Sequence, residues 1–245
     1  MVSVFKKPEY EFGLGNLFIQ LTSMPDSCRL LHDNVYDYEL SNCVILHGFT
    51  RVSFDGPQPE CPIYINPMTM RYVHSKLRSI VEPTPFMKKM IEDHRHLIEG
   101  VDAAMSIRRG SYCEDSRQYK GPRGEGSNQY FCSPAGLENF KNIIRNTPGR
   151  IFLSSDSVST TRELQNEFGD KLSVLEMPYT VTSTQDQGPP TIENLHKVYL
   201  KWFLLSMCPK LYLTGGRPDL VGFSTYAYIA AIYGNKPFDI IFNGD

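Results

Sequence analysis

From Val101 onward the chain alternates short apolar runs with amphipathic stretches, and that alternation sets the expected fold. VDAAMSI (101–107), RIFLSS (150–155), LSVLEM (172–177), KLYLTG (210–215) and FDIIF (238–242) are apolar or β-prone runs of strand length. Between them, apolar residues recur at helical spacing over 134–146, 158–168, 191–207 and 224–234. This order predicts an α/β unit with a mainly parallel sheet flanked by helices. Ligands of such sheets bind beyond the carboxyl ends of the strands. Arg108 and Arg109, Asp156 and the loop after Leu213 therefore fall on the expected functional edge.

The first hundred residues are less regular. The pattern predicts a helix from Gly15 or Asn16 to just before Pro25, a strand over CVILHGF (43–49), and helices over 67–80 and 85–98. FDGPQPECP (54–62) is expected as a surface loop. A boundary near Gly100 divides the chain into domains 1–100 and 101–245. Two long stretches, 112–131 and 179–190, show no pattern and follow strands on the functional edge. Loops of this kind in compact domains tend to be lids or binding loops. For the second, a plain surface insertion is an equal alternative.

Composition narrows the class only slightly. With 41% hydrophobic and 21% charged residues over 245 positions, this is an ordinary globular chain. A net charge of -2 excludes broad non-specific nucleic-acid binding, so any phosphate site must be local. The sequence shows no membrane span and no signal peptide, and the expectation is a cytoplasmic protein of a bacterial or viral pathway. Its six cysteines form no CxxC pair and its six histidines no ligand spacing, which favours reduced thiols and no zinc site.

Four stretches carry candidate chemistry. In EFGLGNLFIQL (11–21), Gly13 and Gly15 precede a helical run, where free N–H groups can meet an anion. Phe18 occupies the third glycine position of GxGxxG and no clear strand precedes it, so the dinucleotide fingerprint is not met and an ordinary glycine turn competes. At the end of VDAAMSI come Arg108 and Arg109. Neighbours on a strand face opposite ways, and a guanidinium at a strand's carboxyl end suits a diphosphate; the competing role is a surface ion pair with Glu114 or Asp115. In IFLSSDS, Asp156 after Ser155 can accept from a base or a ribose hydroxyl, or help cap the next helix. Ser157 or Ser159, with Glu163 in the following turn, can form that cap without it. Finally, Ser224 and Thr225 in GGRPDLVGFSTYAY open an apolar helix, as a phosphate cradle or with Ser224 as a simple N-cap.

A G-x-G-N turn, a strand into R-R-G-S-Y, a strand into S-D-S and a late G-F-S-T-Y-A-Y helix start, in this order over residues 12–235, resemble the fucosyltransferase-like glycosyltransferases. The resemblance implies a GT-B-like arrangement of two Rossmann-like domains, the C-terminal one holding a nucleotide-sugar donor. It implies an inverting, metal-independent transfer of a deoxysugar, foremost fucose from GDP-fucose, to a glycan or glycoprotein acceptor, with no cofactor. No DxD triplet is present. By the resemblance, Arg108 grips the donor diphosphate beside Arg109, Ser155 and Asp156 lie near the nucleotide, and Ser224 and Thr225 contact the phosphates. Gly13, Gly15 and Asn16 face the donor across the cleft.

Two positions depart from the family pattern: Ser106 stands where a guanine-binding histidine is usual, and Ser111 where an aspartate follows R-R-G. A UDP-sugar donor (rhamnose or xylose) and a non-catalytic nucleotide- or glycan-binding module therefore stay open. Glu114, Asp115 and Glu11 are the carboxylates available as general base. A kinase is disfavoured because no GxxxxGK[ST] loop occurs.

Overall fold

The computed structural model describes residues 4–5, 14–24, 29–35, 42–54, 56, 77–110, 131–176, 191–218 and 222–244. Most of both long loops, most of the Pro-rich stretch and residues 67–76 of an expected helix lie outside these.

The C-terminal half follows the alternation. Strands β6 (Val101–Ile107), β7 (Arg150–Ser155), β8 (Leu172–Val174), β9 (Leu211–Thr214) and β10 (Phe238–Ile241) form a five-stranded sheet in the order β10-β9-β6-β7-β8. Every pairing in it is parallel. The chain runs outward from β6 through β7 to β8, then restarts on the other side of β6 with β9. The order thus reverses between β6 and β9, the place where open sheets leave a crevice.

Helices α4 (Pro134–Asn146) and α5 (Val158–Phe168) pack on one face, with Leu137, Phe140, Ile144 and Leu164 meeting Met105, Ile107, Ile151 and Leu153. On the other face α6 (Ile192–Met207) and α7 (Thr225–Gly234) meet Ala104, Phe152, Leu211 and Leu213. This alternation of side chains along each strand is the period-2 rule at work. α7 is apolar all round and correspondingly buried.

Hydroxyl caps begin three of these helices. Ser133 accepts from Gly136 N ahead of α4, Ser157 from Thr160 N ahead of α5, and Thr191 from Asn194 N ahead of α6. Of the two serines that could cap α5, Ser157 does so. Glu163 plays no part in that cap: it pairs with Lys141 Nζ at 2.6 Å, and Glu138 and Glu167 join the same ammonium. Those carboxylates hold the Lys141 ammonium well above its ordinary range.

The N-terminal half contains strands too short to show a pattern. β1 (Val4–Phe5), β2 (Leu30–His32) and β4 (Thr50–Val52) make a three-stranded parallel sheet in the order β1-β2-β4, with α1 (Leu14–Ser23) between its first two strands. β3 (Val44–Leu46) pairs antiparallel with β5 (Val81–Pro83), which follows the short helix α2 (Leu77–Ile80). The strand expected over 43–49 stops at Leu46 because the chain turns at His47 and Gly48. The helix expected over 85–98 ends at Asp93 as α3 (Pro85–Asp93). There the His94 ring and backbone N–H both turn back on the Met90 carbonyl, and a 3-10 turn follows at Arg95–Leu97.

One apolar core runs across residue 100. Phe18 of α1, Trp202 and Phe203 of α6 and Tyr233 of α7 stack about the Trp202 ring, with Phe18 5.0 Å and Tyr233 4.9 Å from it between centroids. Burying side chains of this size contributes roughly 1.5–3 kcal/mol each. Arg78 of α2 adds a polar tie, donating to the carbonyls of Tyr233 and Gly234 at the end of α7. No described helix is long and apolar enough to cross a membrane.

Candidate functional site

The switch point between β6 and β9 is tied by one hydroxyl. Thr214 Oγ1 donates to Ser106 O at 2.8 Å and accepts from Arg108 N at 2.9 Å, so it bridges the carboxyl ends of the two strands. Thr214 O in turn accepts from Ser224 N at 2.8 Å. The loop after β9 folds back on itself, with Gly215 bridged to Phe223 and Gly216 N donating to Gly222 O. α7 consequently begins directly beside the strand it follows. Arg108 and the N-terminus of α7 are thus fastened to the same residue.

The two arginines do different things. Arg109 is buried, and its Nη1 donates to Cys132 O at 2.7 Å. Arg108 is partly exposed, with its guanidinium carbon 5.1 Å from the centre of the Phe131 ring. Cys132 N donates to Arg108 O, and Asn243 closes the same corner by accepting from Ser133 N and donating to Phe131 O. Burial pushes the Cys132 thiol up to about 12, with the nearby Arg109 charge only partly opposing it, so this cysteine is no nucleophile.

Asp156 holds the arginine turn. Its Oδ1 accepts from Arg109 N at 2.6 Å and its Oδ2 from Gly110 N at 3.1 Å, so the carboxylate shapes the turn that carries the arginines. That turn needs φ of 50° at Gly110, a backbone state in which a side chain is strained. Burial pushes the Asp156 carboxyl above its usual range, against the pull of those donors and of the Arg108 charge. Ser155 Oγ accepts from Ser157 N at 3.1 Å and so supports the start of α5.

Across the crevice, α1 meets the start of α7. Gly15 lies inside α1 and not in a turn ahead of it, and a β-carbon there would stand 2.5 Å from Tyr226 N. Thr225 Oγ1 donates to Asn16 Oδ1 at 2.9 Å. Tyr226 OH donates to Val198 O at 2.6 Å, fixing α7 to α6 as well. Ser224 is the N-cap residue of α7 yet makes no side-chain capping bond, unlike Ser133, Ser157 and Thr191. The first N–H groups of α7 are therefore without the side-chain acceptor the other helices have, which suits them to an anion.

Gly15, Asn16, Arg108, Arg109, Ser155, Asp156, Ser224 and Thr225 are thus placed around the carboxyl ends of β6, β7 and β9. Gly13, Glu11, Glu114 and Asp115 lie outside the described residues. Sequence reasoning missed Thr214, Phe131 and Asn243. Thr214 carried a signal, as a hydroxyl at the end of a predicted strand. Replacing it with valine keeps its shape and removes both bonds, so Thr214→Val should lower stability by about 1–3 kcal/mol in a urea melt. It should weaken anion binding at the same time, because Arg108 N loses its anchor.

No protein-family model matches the chain, and no curated protein does. Solved structures do. A selenomethionine structure of fucosyltransferase NodZ from Bradyrhizobium aligns with a TM-score of 0.53 at 10% identity, covering 93% of this chain and 90% of that one. NodZ α-1,6-fucosyltransferase soaked with GDP-fucose aligns at 0.38 and 12%, over 66% of this chain and 47% of that one. POFUT1 in complex with GDP-fucose gives 0.38 and 12%, over 70% and 49%. The chain spans about half the length of the first structures it matches. At these identities the likeness is one of fold: a fucosyltransferase-type α/β fold with a five-stranded parallel sheet flanked by helices.

Proposed function

Starting from that fold, we propose that the chain is an inverting, metal-independent glycosyltransferase that moves a deoxysugar, foremost fucose from GDP-fucose, to a glycan or glycoprotein acceptor. Residues 101–245 supply the donor side and residues 1–100 the acceptor side. The observation that carries this reading is the joint attachment of Arg108 and the uncapped start of α7 to Thr214 at the switch point. Two sources of positive potential thus start from one strand end, an arrangement suited to a diphosphate.

The chemistry follows from that placement. Cleaving the bond between the sugar's anomeric carbon and the diphosphate oxygen builds negative charge on the leaving phosphate. A guanidinium and helix N-terminal N–H groups already in position stabilise that charge without reorganising. Arg109 and Asp156 act behind Arg108 by setting its backbone. The acceptor hydroxyl gives its proton to a carboxylate, and Glu114, Asp115 and Glu11 are the candidates nearest in sequence.

Calorimetric titration with GDP, UDP, GDP-fucose, UDP-rhamnose and UDP-xylose, with and without EDTA, tests the proposal. Binding of GDP and GDP-fucose at an affinity unaffected by EDTA is the expected result. A uracil preference moves the donor to UDP-rhamnose or UDP-xylose. Binding without turnover turns the chain into a nucleotide-binding module, and no binding of any nucleotide overturns the reading of the crevice.

A further inference from the structure

Under α6 the sheet turns polar toward its carboxyl edge. Ala104 and Phe152 belong to the apolar core that also holds Leu200, Leu204 and Leu205 of α6. Two residues further along each strand, on the same face, come Ser106 and Ser154. They are register partners, and both are buried. α6 packs on β7 and carries two polar side chains that the core does not explain. Lys201 is only 8% exposed. Asn194, seven residues earlier and so on the same face of the helix, is 1% exposed, and its Nδ2 has no hydrogen-bond partner among the described residues.

The electrostatics of Lys201 are those of a cation awaiting a partner. Burial lowers its ammonium to about 8, and among the described residues the one charge that opposes this is Asp156. Both Asp156 oxygens are already engaged by Arg109 N and Gly110 N. A buried ammonium without a close counter-ion costs several kcal/mol of stability, and side chains of this kind concentrate at functional sites.

We infer that Lys201 is a donor-binding residue: its ammonium takes an acceptor oxygen of the nucleotide seated at the carboxyl ends of β6 and β7, with Asn194 Nδ2 as a second donor. The inference rests on the reading of this crevice as a nucleotide site. The oxygen belongs either to the base or to the diphosphate, and the same recognition serves both.

Lys201→Met keeps the length of the side chain and removes the charge. Its melting temperature should stay level or rise, since an uncompensated buried cation is gone, while affinity for GDP and UDP falls at least tenfold. Loss for the nucleotides with inorganic pyrophosphate binding unchanged assigns the oxygen to the base; equal loss for pyrophosphate assigns it to the diphosphate. Nucleotide affinity within twofold of wild type in the folded variant overturns the inference. Asn194→Leu, expected to weaken nucleotide binding by a smaller factor, is an independent check if Lys201→Met fails to fold, and unchanged binding by it then overturns the inference. A wild-type protein that binds no nucleotide is a different failure, visible before any variant is made, and overturns the crevice reading together with this inference.

Discussion

Arg108→Ala loses at least a hundredfold in kcat for sugar transfer while its melting temperature stays within a few degrees of wild type. The first half of that expectation comes from charge. Removing one preorganised donor aimed at a developing oxyanion costs about 2.7–4 kcal/mol of transition-state stabilisation, a factor of 10²–10³ in rate. The second half comes from where Arg108 sits. Its backbone is held by Thr214 Oγ1 and by Cys132 N, neither of which depends on the side chain. The fold loses with it the stack on Phe131, worth about 0.5–1 kcal/mol at a partly exposed site. Arg108→Lys should recover only part of the rate, because an ammonium cannot bridge two phosphate oxygens as a planar fork does. The neighbouring variant is the control: Arg109→Ala removes a buried bond to Cys132 O and should show up first in stability. Near-normal turnover by Arg108→Ala would separate the crevice from the chemistry.

The contrast between these neighbours shows what the sequence could and could not reveal. An R-R pair at the end of a predicted strand says that one guanidinium turns inward, but not which. That is decided by Asp156, whose carboxylate takes the N–H groups of Arg109 and Gly110, and by a carbonyl 23 residues further along the chain at Cys132. The parallel sheet was legible because its helices run ten residues or more with an apolar face and hydroxyl caps. The N-terminal sheet was not, because β1 has two residues and β2 and β4 have three, too short for any alternation to register. Lys201 was in plain view in YLKWFLLS, a cation set in an apolar run. Only the fold shows that this helix packs on β7, that Ser106 and Ser154 are paired and buried on the sheet, and that Lys201 lies close enough to Asp156 to feel its charge.

Gly15→Ala should destabilise the protein by about 3 kcal/mol, at the upper end of what overpacking costs. The glycine sits where α1 crosses the first turn of α7, and an added methyl would lie 2.5 Å from Tyr226 N and 2.6 Å from the Thr225 carbonyl carbon. Both contacts are backbone, so no side chain can rotate away; α1 and α7 have to separate. That separation acts on two levels. It loosens the packing of Phe18 and Tyr233 about Trp202, and for a chain of this size a loss of 3 kcal/mol corresponds to a fall of roughly 6–12 °C in melting temperature. It also stretches the bond from Thr225 Oγ1 to Asn16 Oδ1 and shifts the α7 N-terminus, the proposed seat of the diphosphate. Nucleotide affinity should therefore drop even well below the melting temperature, whereas Asn16→Ala, which removes that bond without adding bulk, should weaken binding with little change in stability. A Gly15→Ala protein that melts like wild type would show that the two helices have room to part, and the close crossing would then no longer explain how the start of α7 is held at the crevice.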